Sequence, residues 1–99
     1  MTAIKPKRGE VWELNGQPVL VVSPERFNAA TGFAWVLLIQ VGTSNNLALP
    51  LPSSATTEGA VLVHQISVVD LTDAQARLIE ALPDTLVQDV LTRARLILS

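Results

Sequence analysis

Gly9-Glu10-Val11-Trp12-Glu13-Leu14, Asn15-Gly16 and Pro18-Val19-Leu20-Val21-Val22-Ser23 read together as a β-hairpin. Asn-Gly between two apolar runs is the strongest short hairpin signal, because both central residues of such a turn need positive φ. The first strand is placed at Gly9 to Leu14 and the return strand at Pro18 to Ser23. A proline at the start of the return strand costs no ladder hydrogen bond. Val19 to Val22 is apolar on both faces, which a half-solvated hairpin does not need.

Working outward, Pro24 to Gly32 reads as a connection, punctuated by Pro24, Asn28 and Gly32. Phe33 to Gln40 is the next strand. Phe33, Trp35, Leu37 and Ile39 fall on one face and Ala34, Val36 and Leu38 on the other. A strand apolar on both faces needs cover on both, from a sheet that curls on itself or from a second subunit. Gly42 to Asn46 is a polar turn, Leu47 to Leu51 a short strand, Ser53 to Gly59 a loop, and Ala60 to Val69 a further strand. Leu71 to Leu82 has helical character on its own residues, with Thr72 or Asp73 available as a cap. Pro83 to Leu98 is a helix, with Pro83 at its first position and Asp84 in the first turn. Its stripe of Leu86, Val90, Ala94 and Ile97, widened by Val87, Leu91 and Leu98, has a sheet to bury against. The fold class is α+β, mainly β, and the 99 residues make one domain, 1–99.

The composition excludes several classes. Apolar residues make up 48% and charged residues 16%, which rules out a disordered chain. The longest apolar run, Phe33 to Ile39, is far short of the roughly 20 residues that a membrane helix needs. No apolar signal segment follows the basic N-terminus, so the expected location is the cytoplasm. The chain has no cysteine and one histidine, so disulfides, thiolate catalysis and the usual zinc sites are absent. The net charge is −2, against the basic surface that a nucleic-acid binder usually presents. The cations sit at the two ends: Lys5, Lys7, Arg8 and Arg26, then Arg77, Arg93 and Arg95, with none between. Any basic patch joins the ends of the chain.

No nucleophile elbow, phosphate loop, dinucleotide fingerprint or zinc-protease motif occurs. Asp70 and Asp73 read as loop or capping carboxylates. His64 is either a strand histidine satisfied by one partner or a general acid or base, since histidine titrates near neutrality. Trp35, inside a fully apolar run, reads as core or interface. Trp12 is either core or a stacking surface for a base.

Several segments, in order, resemble the PemK/MazF/Kid toxin family. Lys7-Arg8-Gly9-Glu10-Val11-Trp12 resembles the family's opening. Pro18 to Pro24, Phe27-Asn28 and Thr31-Gly32 are similar to its second strand and the loop after it. Gly59 to Gln65 is similar to its late strand, and Leu82-Pro83 opens its last helix. The resemblance covers nearly the whole chain. It implies a small, strongly bent antiparallel sheet, SH3-like and barrel-like, with a C-terminal helix. It also implies a short helical turn near Thr72 to Gln75 and a strand near Arg77 to Ala81. For function it implies the toxin of a type II toxin–antitoxin system, a homodimer that binds a cognate antitoxin protein. Such toxins are typically endoribonucleases that cut single-stranded RNA without a metal or cofactor. DNA is met only through the toxin–antitoxin complex, and no membrane is involved.

The chain departs from the family at its reactive positions. The arginine before the second strand's proline is Gln17 here, and the threonine ending the third strand is Gln40. An arginine and an aspartate of some members correspond to Leu62 and His64, and the long first loop is cut to Asn15-Gly16. RNA cleavage through the 2′-hydroxyl needs an acid, a base and donors for the phosphorane, and losing one such donor costs about 10²–10³ in rate. The candidate catalytic positions are therefore Gln17, Gln40, His64 and Glu10, with His64 and Glu10 as a new acid–base pair and Arg8, Arg26 or a partner's arginine as the cation. The candidate RNA-binding residues are Arg8, Trp12, Arg26, Asn28 and Gln65. With glutamine for arginine, the antitoxin's tail is expected to make a more apolar contact. The alternatives are a non-catalytic, antitoxin-binding or autoregulatory homologue, and an inhibitor of a protein target such as gyrase, as in the CcdB toxins. The second alternative ranks last because the chain ends Leu-Ile-Leu-Ser rather than Trp-Gly-Ile.

Overall fold

The computed structural model describes residues 6–42, 45–71 and 75–98. The hairpin forms where expected, from β1 (Glu10–Leu14) and β2 (Gln17–Val21). Asn15 and Gly16 take φ of 53° and 83°, the positive values that the two-residue turn requires. There follow α1 (Glu25–Thr31), β3 (Ala34–Gln40), β4 (Ala48–Pro50), β5 (Ala60–Val69), β6 (Ala76–Ala81) and α2 (Asp84–Leu98). The strands make one six-stranded antiparallel sheet in the order β4-β5-β3-β2-β1-β6. It curls without closing, and β4 and β6 are its edges.

The curl comes from two irregularities. β1 faces β6 at Val11↔Glu80 and then at Trp12↔Leu78, so β6 carries an extra residue. In β5 the disturbance is larger: Leu37 faces Ile66 but Ile39 faces Val61, so residues 62–65 form a wide bulge. Bulges bend a strand and raise its twist. The bend lets one short sheet shelter both of its faces. On one face Val11, Leu20, Leu37, Ile39 and Val61 pack with Val87 and Val90 of α2. On the other, Trp12, Val19, Val21, Ala34 and Val36 gather around Leu71. A two-sided apolar β2 and β3 is thus accommodated inside one chain over most of its length.

Two readings of the sequence need correction. Pro24 to Gly32 is not a plain connection but contains α1, with Pro24 as N-cap (φ −70°) and Gly32 closing it through a 2.9 Å bond to Asn28 O. Proline holds the φ that a helix start needs, and Ala29-Ala30 continue it. The apolar pattern hides this helix because its buried residue is polar: Asn28, 2% exposed. Pro83 precedes α2 rather than opening it. The strand inferred from family resemblance near Arg77 to Ala81 is present as β6, one residue longer. The turn expected near Thr72 to Gln75 lies mostly outside the described residues, as does Asp73. No helix among the described residues is long and apolar enough to cross a membrane.

Candidate functional site

Gln17 and Gln40 meet at one end of β2 and β3. The Gln17 side-chain amide donates to Pro18 O and Ile39 O, each at 2.8 Å. An amide group has two N–H donors, and both are spent on the main chain. Gln40 is exposed at the end of β3, opposite Ala60. Gly59 leans on it: a Cβ there would lie 2.6 Å from Gln40 O. Gln17 thus ties the start of β2 to the end of β3.

Glu10 and Trp12 form a second unit. Glu10 Oε1 accepts from the Lys7 main chain at 2.8 Å and from Trp12 Nε1 at 3.1 Å. Trp12 is 7% exposed and belongs to the core. Asn28 is also a structural residue. Its amide donates to Pro6 O at 2.7 Å and to Ser23 O at 3.2 Å, and its Oδ1 accepts from the Ser23 hydroxyl. That knot ties the N-terminal segment to the corner between β2 and α1, and so positions Arg8, whose Nε donates to Val22 O at 2.8 Å. Arg26 is exposed on α1.

His64 and Gln65 lie in the β5 bulge, where burial stops: residues 60–63 are buried and 64–68 exposed. Their side-chain nitrogens are 3.4 Å apart. His64 is not joined to Glu10, since β1 and β5 are separated in the sheet by β2 and β3. Instead His64 lines a groove between the end of α2 and the sheet, together with Arg8 and Arg95. The sequence pattern does not point to Arg95, because it sits beside polar Thr92 in the helical repeat. Its spacing from Leu91 and Leu98 nonetheless places it on the margin of the apolar stripe.

Another unforeseen feature is Glu80. Its carboxylate accepts from Thr57 N and Thr57 Oγ1, each at 2.6 Å, and from Thr56 N at 3.1 Å. Burial pushes its pKa up, but these three bonds outweigh that and hold it below the ordinary value. They clasp the β4–β5 loop to β6. Among the described residues no cluster of His, Asp or Glu is suited to hold a metal ion.

The family model for PemK-like, MazF-like toxins of type II toxin–antitoxin systems matches residues 7–98. The chain belongs to this family. Solved structures of such toxins share the fold. A MazE–MazF complex from Deinococcus radiodurans is 23% identical with a TM-score of 0.88, over 96% of this chain and 97% of that one. An endoribonuclease from a mycobacterial species is 17% identical with a TM-score of 0.87, over 99% and 95%. A mycobacterial endoribonuclease in complex with its cognate antitoxin is 16% identical with a TM-score of 0.82, over 94% of each chain. The search of curated proteins returned no match. The PemK-like fold of this chain carries Gln17 and Gln40 together at one corner of its sheet.

Proposed function

We propose that this single-domain chain is the toxin of a type II toxin–antitoxin pair and cuts single-stranded RNA in the cytoplasm without a metal ion. Membership of the toxin family over residues 7–98 carries this reading, and the fold shared with endoribonucleases supports it. With the Gln17 amide committed to the main chain, the acid–base role in this reading falls to His64, the chain's one histidine. A homodimer belongs to the same reading. Ile66 and Val68 are 48% and 58% exposed on the sheet face where α2 ends, and Leu98 is 78% exposed. Such a patch suits the apolar centre of a subunit interface. The cognate antitoxin is the expected second partner, with DNA met only through that complex.

The locked Gln17 favours a second reading, a non-catalytic member that binds antitoxin and regulates. Incubating the purified protein with a long single-stranded RNA, without metal, and mapping new 5′ ends separates the two. Discrete cuts suppressed by the antitoxin support the ribonuclease. Intact RNA with tight binding of a neighbouring-gene product supports the regulator.

A further inference from the structure

The hollow between the end of α2 and the sheet is lined by Ile66 and Leu98, which also belong to the subunit interface assigned above, and by three basic side chains, Arg8, His64 and Arg95. The basic groups converge from three elements: the N-terminal segment, the β5 bulge and the last turn of α2. Every other residue of the lining is uncharged, and none is acidic. The acids of the neighbouring elements are engaged elsewhere or lie outside the lining. Glu10 accepts from the Lys7 main chain and from the indole of Trp12, which belongs to the core on the other face. Asp89 on α2 pairs with Arg93 at 3.1 Å. On α1, neither Glu25 nor Arg26 lines the hollow, and the polar neighbour of His64, Gln65 at 3.4 Å, is a neutral amide.

We propose that the subunit interface is a pH switch: a proton taken up by His64 of each subunit, between Arg8 and Arg95, drives the two copies apart. This rests on the homodimer seam through Ile66, Val68 and Leu98. In a separate subunit His64 is exposed, and its imidazolium keeps its water. Closing the seam takes water from the hollow. An unpaired charge then loses hydration, and repulsion between neighbouring cations grows as the local dielectric falls. A two-fold axis places one such triad on each side of the seam. The guanidinium groups stay charged at any ordinary pH, so their cost is constant. Only the imidazole changes charge between about pH 5 and 8. Its neutral form suits an apolar seam and its cation does not. The dimer therefore binds fewer protons than two free subunits. By linkage, association is at full strength above the histidine range and weakens as pH falls through it. Each histidine can raise the dissociation constant by no more than about tenfold per pH unit. The Glu80 clasp plays no part, because its carboxyl is held below 4.5 and stays ionised across this range.

The test is sedimentation velocity of the purified protein over a concentration series, at about pH 7.5 and about pH 5.5 and equal ionic strength. Far-ultraviolet circular dichroism at both pH values follows the fold. The dissociation constant is expected to rise at least about tenfold at the lower pH, with an unchanged spectrum. His64→Gln, which puts a neutral amide in place of the imidazole, is expected to remain a dimer and to lose the acid response. Arg95→Gln removes a repelling cation from each hollow, and is expected to tighten the dimer and shrink the response. Equal dissociation constants at the two pH values, or an acid response retained in His64→Gln, overturn the switch. So does a dimer that tightens in acid, which would mean that a carboxylate of the partner copy fills the hollow. A spectrum lost at the lower pH assigns the response to unfolding and overturns the switch as well. Failure of the seam itself reads differently: the natural chain is then a monomer at both pH values, or Ile66→Glu is still a dimer, and the switch falls with it.

Discussion

The side-chain amide of Gln17 donates a 2.8 Å hydrogen bond to the main-chain carbonyl of Ile39, the residue before Gln40. With its second N–H on Pro18 O, the group has only its oxygen left to offer, and an oxygen repels a phosphate. Gln17 thus stitches β2 to β3 in this chain. Replacing it separates the two roles. Gln17→Ala is expected to cost about 1 kcal/mol of stability, the net worth of a typical hydrogen bond, read by urea unfolding. Gln17→Arg is expected to raise metal-free RNA cleavage at least about tenfold, because a preorganised cation at such a site is worth about 10²–10³. Cleavage unchanged in Gln17→Arg would remove this corner from the chemistry.

Glu80 gives the fold an acid sensitivity. Its folded pKa lies below its ordinary value of 4.5, so the clasp on Thr56 and Thr57 contributes fully above that pH and is lost as pH falls through the lowered value. Glu80→Gln keeps the shape and removes the titration. It is expected to cost about 1 kcal/mol near neutrality, a figure discounted because the clasp is partly solvated, and to narrow the stability gap between neutral and strongly acidic solution. Urea titrations of both proteins at the two pH values measure this. An equal gap in both proteins would mean that the clasp carries no linkage.

Gly59 approaches the Gln40 main chain too closely for a side chain. Its φ is 122°, and an added Cβ would sit 2.6 Å from Gln40 O and 2.8 Å from Gln40 C. Gly59→Ala is expected to destabilise by about 2 kcal/mol or more, since both strain and overlap act. Gly16→Ala serves as the control, because it also has positive φ (83°) but nothing within 4 Å of its Cβ. Thermal unfolding of the pair checks the difference. Equal losses would show that φ alone matters.

Asn28 carries more of the structure than its polarity suggests. Asn28→Ala removes a buried amide that satisfies Pro6 O and Ser23 O, and is expected to cost about 2–3 kcal/mol, the range for buried partners left unpaired. Arg26→Ala, on the exposed side of α1, is expected to change stability by less than about 0.5 kcal/mol. Chemical unfolding of the two variants distinguishes an internal knot from a surface contact.

The legible parts of the sequence were those set by local chemistry. Asn15-Gly16 declared its turn because few residues accept positive φ, and Ala60 to Val69 declared a strand by its β-branched run. β6 was hidden, since Ala76-Arg77-Leu78-Ile79-Glu80-Ala81 has helix-forming residues, and pairing with β1 overrides that propensity. Only the family resemblance pointed to it. The site was less legible for a related reason. Glu80 meets partners 23 and 24 residues away in the chain, and Arg8 and Arg95 line one groove from opposite ends of the chain. No short-range pattern encodes such meetings. His64 and Gln65 are exposed, and β2 and β3 lie between the strand that carries His64 and the one that carries Glu10, a separation that no spacing in the sequence announces.

The exposed end of the sheet is expected to be where two copies meet. Ile66→Glu places a charge in the patch with Val68 and Leu98, and burying an unpaired charge costs several kcal/mol. The variant is expected to run as a folded monomer in sedimentation velocity, with an unchanged far-ultraviolet circular dichroism spectrum.

The central claim is that this toxin-family chain cuts RNA without a metal ion, with His64 among the reacting groups. The most direct measurement is the map of new 5′ ends on a long single-stranded RNA, without metal, for the natural chain and for His64→Ala. Discrete cuts in the first that fall at least about tenfold in the second, as expected for loss of a positioned acid or base, are the predicted result. Intact RNA with the natural chain, or the same cuts at the same rate from both, would contradict it.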